Sequence, residues 1–206
     1  MAFTLFSGGA AASAGDAFWK WFVKNESRLF AFEKDQDAVF SALGKQMEKV
    51  HVDLTFEFGP IHDGKREFVI SAGGLKKAFP SVETLHSKAP TLPRWVWVKY
   101  RPRRLPLHDL EYGDKSIQVD DVRYLLAKDG DKVGVVLFFD GYNEKEKNAF
   151  GQIGYLFLDE ALGEYSVEME VGFIEFMGRD SKHFSKSRPL RELPAHFDEH
   201  LGRKTH

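Results

Sequence analysis

The sequence contains no cysteine, which excludes disulfides, thiolate metal sites and cysteine nucleophiles and makes a reducing, cytoplasmic setting the expectation. It also lacks a dominant charge: 29 basic side chains stand against 31 acidic ones, a formal net charge of −2. No overall field therefore draws the chain to nucleic acid or to an anionic membrane surface. No apolar run approaches the roughly 20 residues of a membrane span. Phosphate-binding glycine fingerprints, a G-x-S-x-G nucleophile elbow and an H-E-x-x-H zinc motif are all missing, as are internal repeats.

What is present is aromatic mass. With 19 Phe, 6 Tyr and 4 Trp among 206 residues, the composition points to a thick core of helices on sheet. A chain of this length buries roughly 70% of the surface its unfolded form exposes and needs no staples. Residues 1–15 read as a Gly/Ala/Ser leader. AAASA resembles a signal-peptidase site, but the apolar stretch ends at Phe6 with no basic residue before it.

Periodicity then places the elements. A helix is expected from Asp16 to Phe32, with Phe18, Trp19, Phe22, Leu29 and Phe30 on one face and Trp21 off it. A second follows Asp35, a good N-cap residue, and carries Val39, Phe40, Leu43 and Met47. The period switches to two at Val52, Leu54, Phe56 and Phe58; Asp63-Gly64 turns the chain into a return strand over Arg66–Ala72. After Gly73-Gly74 comes a short helix around Pro80, then a strand over Arg94–Arg101. A second hairpin joins Val122–Lys128 to Val133–Phe139 through Asp129-Gly130-Asp131. A helix opened by Asn143 and closed before Gly163 buries Ala149, Ile153, Leu156 and Phe157. Val167, Met169, Val171 and Phe173 alternate as a last strand. The fold class is α+β: a largely antiparallel sheet of about six strands with three or four helices mainly on one face. Residues 16–177 form a single domain, and residues 178–206 form a polar tail that Leu190, Leu193, Phe197 and Leu201 pin to it.

Several groups of residues invite a functional reading. Trp95 and Trp97 share a strand face with Lys99 and Arg101, and Arg103 and Arg104 extend the basic run; aromatics beside arginines are what binding surfaces use. An opposing sheet face of Asp53, Thr55, Glu57, Glu168 and Glu170 would accompany them, although a solvated sheet face with core tryptophans is the commoner arrangement. The basic run also suits a phosphate backbone, but the neighbouring Asp109, Glu111 and Asp114 and the balanced net charge speak against nucleic acid. Gly73, Gly74 and Lys76 stand between strand and helix, where backbone N–H groups can hold an anion, though glycines there usually serve only the turn. His196 and His200 share a helical face and are weak metal candidates without a third ligand, so no metal or cofactor is assigned. His51, His62 and His108 each neighbour an aspartate but lack a nucleophile partner in sequence.

The expectation is a non-catalytic intracellular binding or regulatory protein that uses an open sheet face. Its partner would be a protein or a small molecule, with no membrane, no nucleic acid and homodimerisation open. The alternative is a small-molecule or phosphoester hydrolase or transferase, its site assembled from the Gly73–Lys77 loop and the His108 region.

Overall fold

The computed structural model describes residues 13–203. The expected leader lies outside the described residues apart from Ser13, Ala14 and Gly15. The chain divides into two compact units: residues 13–72 with Lys77–Trp97, and Gly73–Lys76 with residues 98–203. Among the described residues no helix is long and apolar enough to cross a membrane.

The first unit opens with a capping box. Ser13 Oγ accepts from the Asp16 N–H at 3.3 Å, and the Asp16 carboxylate accepts from the Ser13 N–H at 3.1 Å. Helix α1, Ala14–Lys24, follows. The single helix expected to Phe32 is broken at Asn25, whose side-chain amide donates to the Trp21 carbonyl at 2.8 Å. The chain resumes as α2, Glu26–Phe30, and then as α3, Gln36–Glu48. Asp35 stands at the start of α3 but gives its carboxylate to Arg28 at 3.1 Å instead of capping. Strands β1, Thr55–His62, and β2, Lys65–Ser71, form the expected hairpin, with Asp63 and Gly64 at φ 50° and 73°. Val52 lies before the strand and is exposed. Helix α4, Phe79–Ser87, and the Trp95–Trp97 part of β3, Trp95–Lys99, complete the set; β3 lies beside β2 in a three-stranded sheet. At the centre Phe22 is fully buried, its ring 5.0–5.5 Å from those of Trp19, Phe68, Trp95 and Trp97, mostly edge to face.

The second unit holds β4, Leu110–Tyr112, and β5, Lys115–Ile117, a hairpin the alternation did not reveal. Its turn, Gly113-Asp114 before Lys115, repeats the Gly130-Asp131-Lys132 turn between β6, Arg123–Asp129, and β7, Lys132–Phe139. Helix α5, Lys147–Leu162, leads into α6, Glu164–Glu170, and β8, Val171–Gly178. Strand β9, Arg188–Pro189, and helix α7, Leu193–His200, end the described chain.

The α+β class holds, but the single sheet of about six strands does not form. The strands make separate sheets of three, two and four, and the four-stranded sheet runs β8-β7-β6-β9 with β7 and β8 parallel. A further difference lies in residues 164–170. Val167-Glu-Met-Glu170 alternates like a strand, yet Glu164, Val167 and Val171 are buried at helical spacing, so the segment continues the crossover as α6. A crossover of that length brings β8 back parallel to β7, where a short turn would have made it antiparallel.

Strand β7 is buried on both faces. Val135, Leu137 and Phe139 meet Ile153 and Phe157 of α5 and Phe197 of α7, while Phe138 on the other side meets Phe184 at 5.7 Å. Leu190, Leu193 and Phe197, beyond Gly178, belong to this core. The buried stripe of α5 runs Phe150, Ile153, Phe157 and Ala161, so Leu156, expected inside, turns outward. Gly154 sits directly beneath the ring of Phe176 on β8, and a Cβ there would fall inside van der Waals contact. Gly154→Ala is therefore expected to destabilise the protein by about 1–3 kcal/mol through overpacking, read by chemical denaturation. An unchanged midpoint would mean that Phe176 moves aside freely.

Candidate functional site

Trp95 and Trp97 belong to the aromatic core of the first unit. Their indoles stack at 5.7 Å and 4°, Trp95 is 5% exposed, and Trp97 is half-buried. Both ring N–H groups are used internally, Trp95 on Glu26 Oε1 at 2.9 Å and Trp97 on the Pro90 carbonyl at 2.7 Å. Lys99, Arg101, Arg103 and Arg104 fall in the second unit. Arg101 pairs with Asp159 at 2.8 Å. Arg103 grips Asp198 with two nitrogens at 2.6 and 2.8 Å and gives its Nε to the Leu162 carbonyl. Those Arg103 hydrogen bonds hold the Asp198 carboxyl below its ordinary value. Arg104 donates its backbone N–H to the Glu160 carbonyl at 2.9 Å. Arg101 and Arg103 thus fasten the second unit together. The acidic face expected opposite them is not assembled either, since Glu168 and Glu170 stand on helix α6.

The Gly73-Gly74 loop does hold an anion, and the anion is the chain's own. Both glycines have positive φ, 61° and 74°, which turns the Gly74 N–H onto Glu164 Oε1 at 3.0 Å. The second oxygen of Glu164, a fully buried residue, accepts from the Arg101 N–H at 2.9 Å. His196 Nδ1 meets the hydroxyl of buried Tyr124 at 2.8 Å. Burial pushes the Tyr124 phenol up to about 12 and lowers His196, with the charge of Arg188 adding to the latter. His200 ends the same helix, and among the described residues no group of three His, Asp or Glu side chains is placed to hold a metal. His108 reaches Glu160 at 2.9 Å from an exposed position.

Two surface hollows of the second unit are comparable in size. One of about 450 Å³ is lined by Ser116, Asp121 and Asp140 among others, and both aspartates already lie within 3.6 Å of Arg179. The other, of about 400 Å³, has more varied chemistry. Gln152, Tyr155, Leu156 and Asp159, at helical spacing on α5, form one wall. The Gly73–Leu75 loop forms the rim, and Arg101 and Glu168 supply further polar lining. Glu168 stands apart: it is half-buried and makes no hydrogen bond or ion pair with any described residue. Burial, followed by the charge of Glu164, raises its pKa against the opposing pull of Lys132 and Lys76.

Of the residues singled out from sequence, Arg101, Gly73 and Gly74 meet at this cleft, whereas Trp95, Trp97, His196, His200 and His108 are not among its lining. Gln152, Tyr155, Asp159 and Glu168 were not anticipated there. The spacing of the first three on an expected helix was the available signal, and the strand-like alternation around Glu168 concealed the fourth. Compared with known proteins, the chain matches no family model, no curated protein and no solved structure.

Because the folded state raises the Glu168 pKa, the ionised carboxylate costs stability. The folded protein binds more protons than the unfolded chain at pH values between the ordinary value of 4.5 and the raised one, so this cost appears as pH rises through that window. Glu168→Gln is expected to raise the melting temperature at about pH 7.5, with the gain vanishing near pH 4, where the carboxyl is protonated in both states. A variant less stable than the parent at neutral pH would show that the carboxylate is held favourably.

Proposed function

We propose that the chain is a non-catalytic binding or regulatory protein whose recognition surface is the cleft between α5 and the Gly73–Leu75 loop. One observation carries this reading: large apolar and aromatic side chains lie exposed beside polar ones in the same cleft. Leu75 is 43% exposed, Tyr155 46% and Leu156 39%, and all three line the cleft. Tyrosine and arginine set among desolvated neighbours are the residues that dominate binding surfaces. The lining offers little for catalysis. Asp159 is engaged by Arg101, and among the described residues of the lining the only side-chain hydroxyl is the Tyr155 phenol. The cysteine-free sequence supports the cytoplasm as the setting.

A second reading, a hydrolase or transferase, draws on the raised pKa of Glu168, since a carboxyl poised upward in a cleft can serve as a general acid. Among the described lining, the further titratable side chain outside the Arg101–Asp159 pair is the Tyr155 phenol.

The two readings separate in one experiment. A library of small ligands and capped peptides is titrated into isotopically labelled protein and followed by amide NMR. Binders are expected to shift Gln152, Tyr155 and Leu156 and to remain chemically intact. Tyr155→Ala should abolish those shifts while destabilising the fold by only about 1 kcal/mol, the scale of losing its edge contact with the Phe176 ring. Shifts that map elsewhere would reject the cleft. Conversion of a bound ligand, lost in Glu168→Gln, would replace the binding reading with the enzymatic one.

A further inference from the structure

We infer that the cleft of the second unit receives a lysine side chain of a partner polypeptide, its ammonium set against Glu168 and its methylene stem against Tyr155 and Leu156. The inference deepens, and rests on, the reading of this cleft as a recognition surface.

The charges that face the cleft decide the sign of what it takes. Among the described residues Arg101 is the one cation in its lining, and Asp159 neutralises it at 2.8 Å. The backbone donors that would otherwise attract an anion, the N–H groups of Gly74 and Arg101, are both occupied by Glu164. Glu164 brings a second carboxylate close behind Glu168, and Asp159 is a third. Lys76 and Lys132 act on Glu168 from the loop and from β7, yet they do not offset burial and the Glu164 charge. An incoming anion would meet a carboxylate without a partner, and the backbone donors of Gly74 and Arg101 are already taken. An incoming ammonium would supply the hydrogen bonds and the charge that Glu168 lacks.

The walls decide the stem. Tyr155 and Leu156 are neighbours on α5 and Leu75 lies on the opposite rim, so an alkyl chain entering the cleft finds an aromatic face and two branched apolar side chains. Such walls suit methylene groups that carry a charge at their far end. A small free amine would leave the rim bare, whereas the backbone on either side of a lysine would cover Leu75 and Leu156. That exposed rim is the argument for a polypeptide source.

Binding should also be linked to protonation. An ammonium stabilises the ionised form of Glu168, so affinity rises with pH as Glu168 loses its proton and then levels off. The groups that face Glu168 and set this midpoint are Glu164 on α6, Lys132 on β7 and Lys76 on the loop, with Arg101 and Asp159 in the same cleft.

The test uses the full chain and a matched set of capped tripeptides, Leu-Lys-Leu, Leu-(Nε-acetyl-Lys)-Leu and Leu-Glu-Leu, together with n-butylamine. Amide NMR gives the location of binding and a titration gives the affinity at several pH values. The expected result is that the lysine peptide binds at Gln152, Tyr155 and Leu156, and that acetylation weakens it at least about tenfold. Glu168→Gln should weaken it similarly and flatten the pH profile. Since that substitution is expected to stabilise the fold, unfolding would not account for the loss, and the melting temperature checks this. If the acetylated or the glutamate peptide binds the cleft as well as the lysine peptide, the cationic assignment fails while the recognition surface stands. If n-butylamine binds as tightly as the lysine peptide, the polypeptide source is wrong. If no probe reaches the cleft, both this inference and the reading beneath it fall.

Discussion

A carboxylate shut away from solvent has to be surrounded by donors, and Glu164 draws two of them from the backbone. Gly74 donates to one oxygen and Arg101 to the other, while the N–H of Glu164 itself donates to the Arg101 carbonyl. Burying a charge without such partners costs several kcal/mol, so these bonds are strongly enforced. They tie together three segments of the second unit that are distant in sequence: the glycine loop, the stretch after β3 and the start of α6. The shape of the cleft follows from that knot. The loop makes its rim, Arg101 carries the partner of Asp159, and α6 presents Glu168 one helical turn beyond Glu164.

The two units meet the same need for burial by different chemistry. The first packs rings edge to face around Phe22 and spends its tryptophan N–H groups on internal acceptors. The second wraps an almost wholly apolar strand, β7, with helices on one side and Phe184 on the other, then binds its outer segments with arginine–carboxylate pairs. The arginines in question are those a basic run in sequence would suggest for a phosphate backbone. Their work is internal because carboxylates on α5 and α7 lie within reach, and proximity of that kind arises only on folding.

The legible parts of the sequence were those whose signal is local. The Asp63-Gly64 and Gly130-Asp131 turns and the halt of α5 at Gly163 each depend on a few neighbouring residues. The α+β class follows from mixed periods of two and about 3.6. The sheet topology was not legible, because strand pairing is set between segments distant in sequence, and the Val167–Glu170 alternation fits a strand as well as it fits α6. The cleft was half legible. Arg101 and the glycines stood out by type, but Gln152, Tyr155 and Asp159 matter only for where α5 points them. Trp95 and Trp97 stood out most; both join the ring cluster of the first unit, Trp95 buried and Trp97 half-buried, and an indole beside cations in sequence carries no information about which way the strand faces.

The contact between Gly154 and the Phe176 ring has a bearing on all of these positions. A ring seated in the notch left by a missing side chain fixes the angular phase of α5, much as a key fixes a shaft. Successive residues point about 100° apart around a helix, so even a modest roll would carry Tyr155 and Asp159 away from the loop opposite. With rolling blocked, the array presented to an incoming molecule is already in place before it arrives. Little conformational freedom then remains to be surrendered on association, and selectivity can come from shape and charge instead of from rearrangement.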